Sequence, residues 1–386
     1  MNFDLSEDQL AFQNLAKNFA AKELTPFAAE WDSKSEFPVE VIKKAGDLGF
    51  CSLYMDEEDG GMGLGRLDAS IIIEQLSAGC TSTTAFITIH NMALWMLSKF
   101  GSEDLKKEWC SSLSSGKKLS SYCLTEAGSG SDAASLRTTA EKKGDSYILN
   151  GSKSFVSGSG ETDCLILMAR TGKEGPGGIS CFLIPADSKG IEYGKKEDKM
   201  GWRNQPTRIV SLSDVEVPAS NLIGKEGEGF KLAMQGLDGG RINIATCSVG
   251  TAQAALDAAQ KYMNEREQFG KKIGEFQALQ FKLADMTTEL VAARHFVRLA
   301  ASKIDNGHPE AAVYSAMAKR FATDVGFTVC NEALQIFGGY GYLREFPLER
   351  YVRDLRVHQI LEGTNEIMRM IIGRRMLMEG ATQIIQ

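Results

Sequence analysis

The chain has 386 residues, a formal net charge of −7, and a composition that is 43% hydrophobic and 24% charged. That is ample apolar material for a large core without disulfide or metal staples, and more than one small core would hold. The acidic balance argues against non-specific binding to nucleic acid or an anionic membrane, although a local Arg or Lys still suits a phosphate-bearing substrate.

Residues 1–120 read as mostly helical. The stretch from Leu5 to Leu24 has apolar residues at helical spacing and Ser6 as its N-cap. A short helix follows Phe37 and ends at Gly49, and a Gly-rich loop covers residues 57–65. Residues 67–80 and 83–101 read as buried helices, and another runs from an N-cap at Ser102 to a stop at Gly116. The character changes near Ser120. Residues 146–153, 163–170, 178–185 and 208–218 are β-type runs broken by Gly and Asp-Ser turns, which predicts an antiparallel β domain over 121–228. From 229 to 386 the 3.6-residue period returns in four long amphipathic segments. The fold class is therefore α+β, ordered α, then β, then α, with no internal repeat.

The eight cysteines are scattered without a C-x-x-C pair, and read as reduced, mostly buried thiols, with a catalytic thiol as the lesser alternative. The four histidines have no ligand spacing, so no metal site is expected. The first ten residues carry acids and no apolar h-region, and no run is long enough to span a membrane. A cytoplasmic protein is expected, or a processed mitochondrial form.

Five stretches carry chemistry. Tyr122-Cys123-Leu124-Thr125-Glu126-Ala127-Gly128-Ser129-Gly130-Ser131-Asp132 combines glycines with hydroxyl donors, as a phosphate or flavin cradle does. A plain Gly/Ser surface loop fits as well. It also matches a relaxed G-x-G-x-x-A, but a hairpin pattern follows where a dinucleotide fold needs a helix. Gln335-Ile336-Phe337-Gly338-Gly339-Tyr340-Gly341-Tyr342 places glycines beside aromatics, either against a flat ligand or as a helix C-cap. In Ile360-Leu361-Glu362-Gly363-Thr364-Asn365-Glu366, a carboxylate follows an apolar pair. Such a carboxylate is either a base with a raised pKa or a solvated residue before the N-cap Thr364. Asp238 and Arg241 open a long helix and either hold a polar ligand or, for Asp238, cap that helix. Arg266, in Arg266-Glu267-Gln268-Phe269-Gly270, either pairs with a phosphate or complements a helix dipole.

In order and spacing, these motifs resemble the acyl-CoA dehydrogenase family over essentially the whole chain. The matches are C-L-T-E-A-G-S-G-S-D at 123–132, E-R-E-Q-F-G at 265–270, and Q-I-F-G-G-Y-G-Y-L-R-E from Gln335 with Arg350 and Asp354 following. Ala127 departs from the pattern, which usually has Pro there. The stretches G-C-T-S-T-T-A-F-I-T-I-H-N-M, Q-P-T-R and G-G-R-I-N-I-A are most like the short branched-chain branch.

The resemblance implies an FAD enzyme that oxidises isobutyryl-CoA to methacrylyl-CoA in valine degradation, with butyryl-CoA or 2-methylbutyryl-CoA as alternative substrates. It further implies a homotetramer, a dimer of dimers, that passes electrons to electron-transferring flavoprotein. An acyl-CoA oxidase and a flavin-free scaffold are the rival readings. The family's catalytic base falls on Glu362. Members that place the base just before the helix-opening Arg would have it at Gly240, which has no side chain. Tyr122, Cys123, Leu124, Thr125, Gly130, Ser131, Phe155, Val156 and Ser157 are expected at the flavin. Arg266, Gln268, Phe269, Gln277, Gln335, Ile336, Gly338 and Gly339 are expected to reach FAD from a neighbouring subunit. Thr364, Asn365 and Glu366 would meet its adenosine part. Ser131, Asp238, Arg241 and Gly363 are expected at the acyl-CoA.

Overall fold

A computed structural model describes residues 4–381 and 385. Its helical–strand–helical order is the one the sequence periodicity predicts. The first helix, α1 (Glu7–Phe19), starts in a reciprocal capping box between Ser6 and Gln9 and runs into a π-helical turn at Ala20–Leu24. There follow α2 (Ala28–Lys34), α3 (Val39–Asp47), α4 (Arg66–Gly79), α5 (Thr81–Phe100) and α6 (Glu103–Ser114). α5 is buried on nearly every side, which accounts for its apolar run with little amphipathic pattern.

The middle of the chain forms β1 (Ser120–Cys123), β2 (Thr139–Lys143), β3 (Ser146–Ser157), β4 (Cys164–Arg170), β5 (Ile179–Pro185), β6 (Ile191–Tyr193), β7 (Thr207–Pro218) and β8 (Leu222–Ile223). They make one sheet in the order β6-β7-β3-β2-β4-β5-β8, with β1 beside β4. β2 and β3 are a hairpin turning at Gly144, so the dinucleotide-fold reading of the Gly-rich loop fails on context. The expectation of a wholly antiparallel sheet needs one correction: β1 pairs with β4 in parallel, as does one residue pair of β2. This follows from β1 entering the sheet directly from the helical region rather than from a hairpin.

The 37-residue α7 (Gly229–Glu265) is the axis of the molecule. It ends in a small hairpin of β9 (Glu267–Gln268) and β10 (Lys271–Lys272). α8 (Gln277–Asp305), α9 (Ala311–Phe337), α10 (Leu348–Arg356) and α11 (Asn365–Met376) complete the chain. α7 packs against α8 and α9 through Ala245, Ala252, Ala259, Ala293 and Ala322, whose small side chains bring the backbones close. Its other face meets α4 and α5. α7 begins at Gly229, so Asp238 lies well inside it and is not an N-cap. Among the described residues no helix is long and apolar enough to cross a membrane.

Candidate active site

Glu362 sits in the short connection between α10 and α11, in the left-handed region at φ +56, followed by Gly363 at φ +86. A non-glycine residue there costs roughly 1–2 kcal/mol, so the surroundings must hold it. Two buried cations do so. Lys319 of α9 is fully buried, and its Nζ donates to the Gly363 carbonyl at 2.8 Å and to Asn365 Oδ1 at 2.9 Å. Arg241 Nε donates to the Glu362 carbonyl at a long 3.4 Å, while Arg241 Nη1 pairs with Asp238 at 2.5 Å. Asn365 in turn donates to Thr323 Oγ1 and Asp324 Oδ1. Thr364 caps α11 by accepting from the Ile367 N–H at 3.2 Å.

This scaffold turns the Glu362 side chain inward, under α7. A Cβ on Gly240 would lie 2.5 Å from Glu362 Oε2 and 3.1 Å from Met92 Sδ, so the carboxylate occupies the space that any side chain at 240 would fill. Burial pushes the Glu362 carboxyl up to about 7, against the opposing charges of Arg241 and Lys319. Burial likewise pulls Lys319 down to about 7. Glu362 as a whole is half-buried, but its carboxylate lies under α7 rather than in solvent. Its Oε2 is shielded from solvent and has no protein partner; the same is true of Tyr122 Oη and Arg66 Nη1. Burial and then the Glu362 charge push the Tyr122 phenol well above its usual range. The Tyr54 ring carries the Arg66 guanidinium at 3.4 Å, and its hydroxyl accepts from Asn243 at 2.9 Å. A shielded carboxylate oxygen without a protein partner, near other unpaired polar atoms, can accept a proton from a bound group.

The Gly-rich loop after β1 is held from beneath. Lys153 is fully buried and its Nζ donates to Glu126 Oε1 at 2.7 Å and to the Leu124 carbonyl at 3.1 Å. The Glu126 carboxylate also accepts from the Arg137 and Thr138 N–H groups. Cys123 and Val156 point into the sheet core, so only their backbones face outward. Burial pushes the Cys123 thiol up to about 12, the reverse of what a nucleophile needs. Gly130, Ser131 and the half-buried Thr125 and Ser157 line the outer side. A Cβ at Gly128 or Gly130 would meet nothing within 4 Å. Phe155 sits at the register shift between Lys153 and Val156 in β3, at φ +57, with 71% of its surface exposed. A strained bulge that turns an aromatic ring outward suits a flat ligand laid against it.

The remaining expected residues lie elsewhere. Arg266, Gln268, Ile336, Gly338 and Gly339 line a surface pocket of about 370 Å³ together with Tyr340. Phe269 stands beside them on the β9–β10 turn, 94% exposed at φ +54. Gln335 on α9 and Gln277 on α8 are exposed and do not line the pocket. Gly240 lies inside α7 and Arg266 just past its C-terminal end, so the two stand roughly 39 Å apart at 1.5 Å per residue. Within one chain the two groups are therefore separate sites. Glu366 is exposed and pairs with Arg369 at 3.4 Å.

Lys319, Lys153, Tyr54, Arg66 and Met92 also belong to the site, outside the motifs that the sequence displays. Lys153 carried a signal, since it shares the inward face of β3 with Leu149. Among the described residues no group of His, Cys, Asp and Glu could hold a metal.

Comparison with known proteins covers nearly the whole chain. The families described as acyl-CoA dehydrogenase N-terminal, middle and C-terminal domain match residues 6–117, 121–215 and 227–377. Mitochondrial isobutyryl-CoA dehydrogenase of Bos taurus is 53% identical over 97% of this chain and 90% of its own. The short-chain specific acyl-CoA dehydrogenase of Rattus norvegicus is 42% identical over 97% of this chain and 91% of its own. A chain solved in the study of the electron transferring flavoprotein of Acidaminococcus fermentans superimposes with a TM-score of 0.96 at 43% identity, covering 98% of this chain and all of that one.

Proposed function

The chain belongs to the acyl-CoA dehydrogenase family and is an oxidoreductase of that class, and we propose that it is an FAD-dependent dehydrogenase of a short branched acyl-CoA, isobutyryl-CoA first, with Glu362 as the base. The observation that carries this is the buried, unpartnered Glu362 carboxylate under Gly240, raised to about 7.

Glu362 takes the proton from Cα of the thioester, and the Cα–H electron pair moves into the forming Cα=Cβ bond. Its N–H group and neighbouring dipoles stabilise the developing enolate charge only if the carbonyl lies against the base loop, which Lys319 and Arg241 hold rigid. Exclusion of water keeps the carboxyl's affinity for a proton high. FAD, when bound, supplies the acceptor for the hydride that leaves Cβ.

Tyr122, Leu124, Thr125, Gly130, Ser131, Phe155 and Ser157, with the backbones of Cys123 and Val156, would hold the flavin, and Thr364 and Asn365 would border it. The pocket at Arg266, Gln268 and Gly338–Gly339, with Phe269, would serve a second copy's FAD, which the 39 Å span along α7 favours. Ser131, Asp238, Arg241 and Gly363 would border the CoA thioester. The higher identity to an isobutyryl-CoA than to a short-chain specific relative supports the branched substrate. Electron-transferring flavoprotein as acceptor has its support in the similar Acidaminococcus chain.

The test is turnover by the purified yellow protein across isobutyryl-, 2-methylbutyryl-, butyryl- and hexanoyl-CoA, with electron-transferring flavoprotein or a dye as acceptor. Isobutyryl-CoA should have the highest kcat/KM. A preference for butyryl-CoA overturns the substrate; a colourless protein without flavin absorption overturns the whole reading.

A further inference from the structure

α5 and α7 run antiparallel past the base: Gly236 lies against Met96, Gly240 against Met92, and Thr81 Oγ1 is 2.7 Å from Thr251 Oγ1. Moving one turn from Gly240 and Met92 towards the start of α5, the facing side chains are Ile244 and Ile89, then Ala85. In the other direction, towards the start of α7, lie the half-buried Leu237 and Asp238. A substrate entering there, with its α-carbon at Glu362, has its acyl end directed at Ile244, Ile89 and Ala85.

That end is closed by one residue from outside the helices. Trp202, in the connection between β6 and β7, forms a small apolar core with Ala85 and Ile244, against which Ile89, Val357 and Leu361 pack. Leu361 is the residue before the base. Trp202 is 5% exposed and stands at φ +52, a conformation a bulky side chain adopts only under constraint. The constraint is visible on three sides. Its N–H donates to Asp354 Oδ1 at 2.7 Å, its indole Nε1 donates to His358 Nε2 at 3.1 Å, and His358 Nδ1 is 2.8 Å from Ser248 Oγ on α7. Gly201 before it lies so close to the Arg353 carbonyl that no side chain fits.

We propose that Trp202 is the stop of the acyl pocket and sets the enzyme's limit to short acyl groups. This rests on the dehydrogenase reading above and adds which residue fixes chain length. Backbone strain is held at a position that the chemistry does not touch, where an indole fills the volume that a longer chain would need. Removing the ring opens that volume along the direction in which a straight chain extends.

The experiment compares kcat/KM for isobutyryl-CoA and hexanoyl-CoA in wild type, Trp202→Leu and Trp202→Gly, glycine being suited to the positive φ. Flavin content and thermal unfolding are measured alongside. The proposal expects the hexanoyl-to-isobutyryl ratio to rise at least tenfold in one variant that retains flavin. A ratio within twofold of wild type in both overturns it, and so does an equal loss on every chain length, which marks a purely structural residue. Wild type inactive on all acyl-CoA esters overturns the dehydrogenase reading first, and this inference with it.

Discussion

Gly240 and Glu362 exclude each other's side chains: a Cβ on Gly240 would stand 2.5 Å from Glu362 Oε2 and 3.0 Å from its Cδ. The missing side chain on α7 and the buried carboxylate on the α10–α11 connection are one feature. Gly240→Ala should leave the fold intact, since helix interiors favour Ala over Gly, and should displace the carboxylate. Misplacing a reacting group by about 1 Å costs on the order of 100-fold. We expect that loss in kcat, with flavin content unchanged. Activity within threefold of wild type shows that the carboxylate moves without consequence.

Lys319 of α9 and Arg241 of α7 act on the Glu362 carboxyl, whose charge in turn raises the Tyr122 and Tyr54 phenols. The two cations oppose the burial that raises the carboxyl. Lys319→Met removes one of them, so ionisation becomes harder and the carboxyl rises further above about 7. The acidic limb of the kcat/KM–pH profile should move to higher pH by about one unit. A profile that falls in height without moving assigns Lys319 to loop support alone.

The Lys153–Glu126 pair lies beneath the Gly-rich loop with neither side chain more than slightly exposed. Breaking such a pair by removing one partner costs about 3–5 kcal/mol, because the other charge remains buried. Lys153→Met should lose that much in chemical denaturation at pH 7. The Glu126 double variant K153M/E126Q should recover part of it. Burial raises the Glu126 carboxyl, but the Lys153 charge and the donors around it outweigh this and hold it below the usual range. Its contribution is thus present above the unfolded carboxyl's pKa and lost as the pH falls through the lower folded value. Wild type should lose more stability on acidification than the double variant.

Much of this was legible from local chemistry. Ser6, Ser102 and Gly49 mark helix ends through capping bonds and left-handed turns that short-range pattern encodes. Leu149 and Lys153 share a strand face by alternation. Other features are set by distant parts of the chain. β1 lies parallel to β4, a pairing no turn announces. α7 starts before Asp238 because Leu232, Ala233 and Gly236 pack on α5 and the sheet, which overrode the apparent cap. Glu362 reads as a loop residue until Gly240, Met92 and Lys319 close over it. The charged residues of α10 break the apolar run that would announce a helix, yet its Arg353 pairs with Asp32 of α2 at 2.7 Å.

The central claim is that the Glu362 carboxylate is the base, and Glu362→Gln tests it most directly because the shape is kept. The folded carboxyl sits near 7 where the unfolded one sits at 4.5, so stability is lost as pH rises through 7. At pH 8 the variant should therefore unfold later than wild type, by up to about 3 kcal/mol. Its turnover of isobutyryl-CoA, with flavin bound, should fall at least about 1000-fold. A flavin-loaded Glu362→Gln protein that turns over at near wild-type rate contradicts the account.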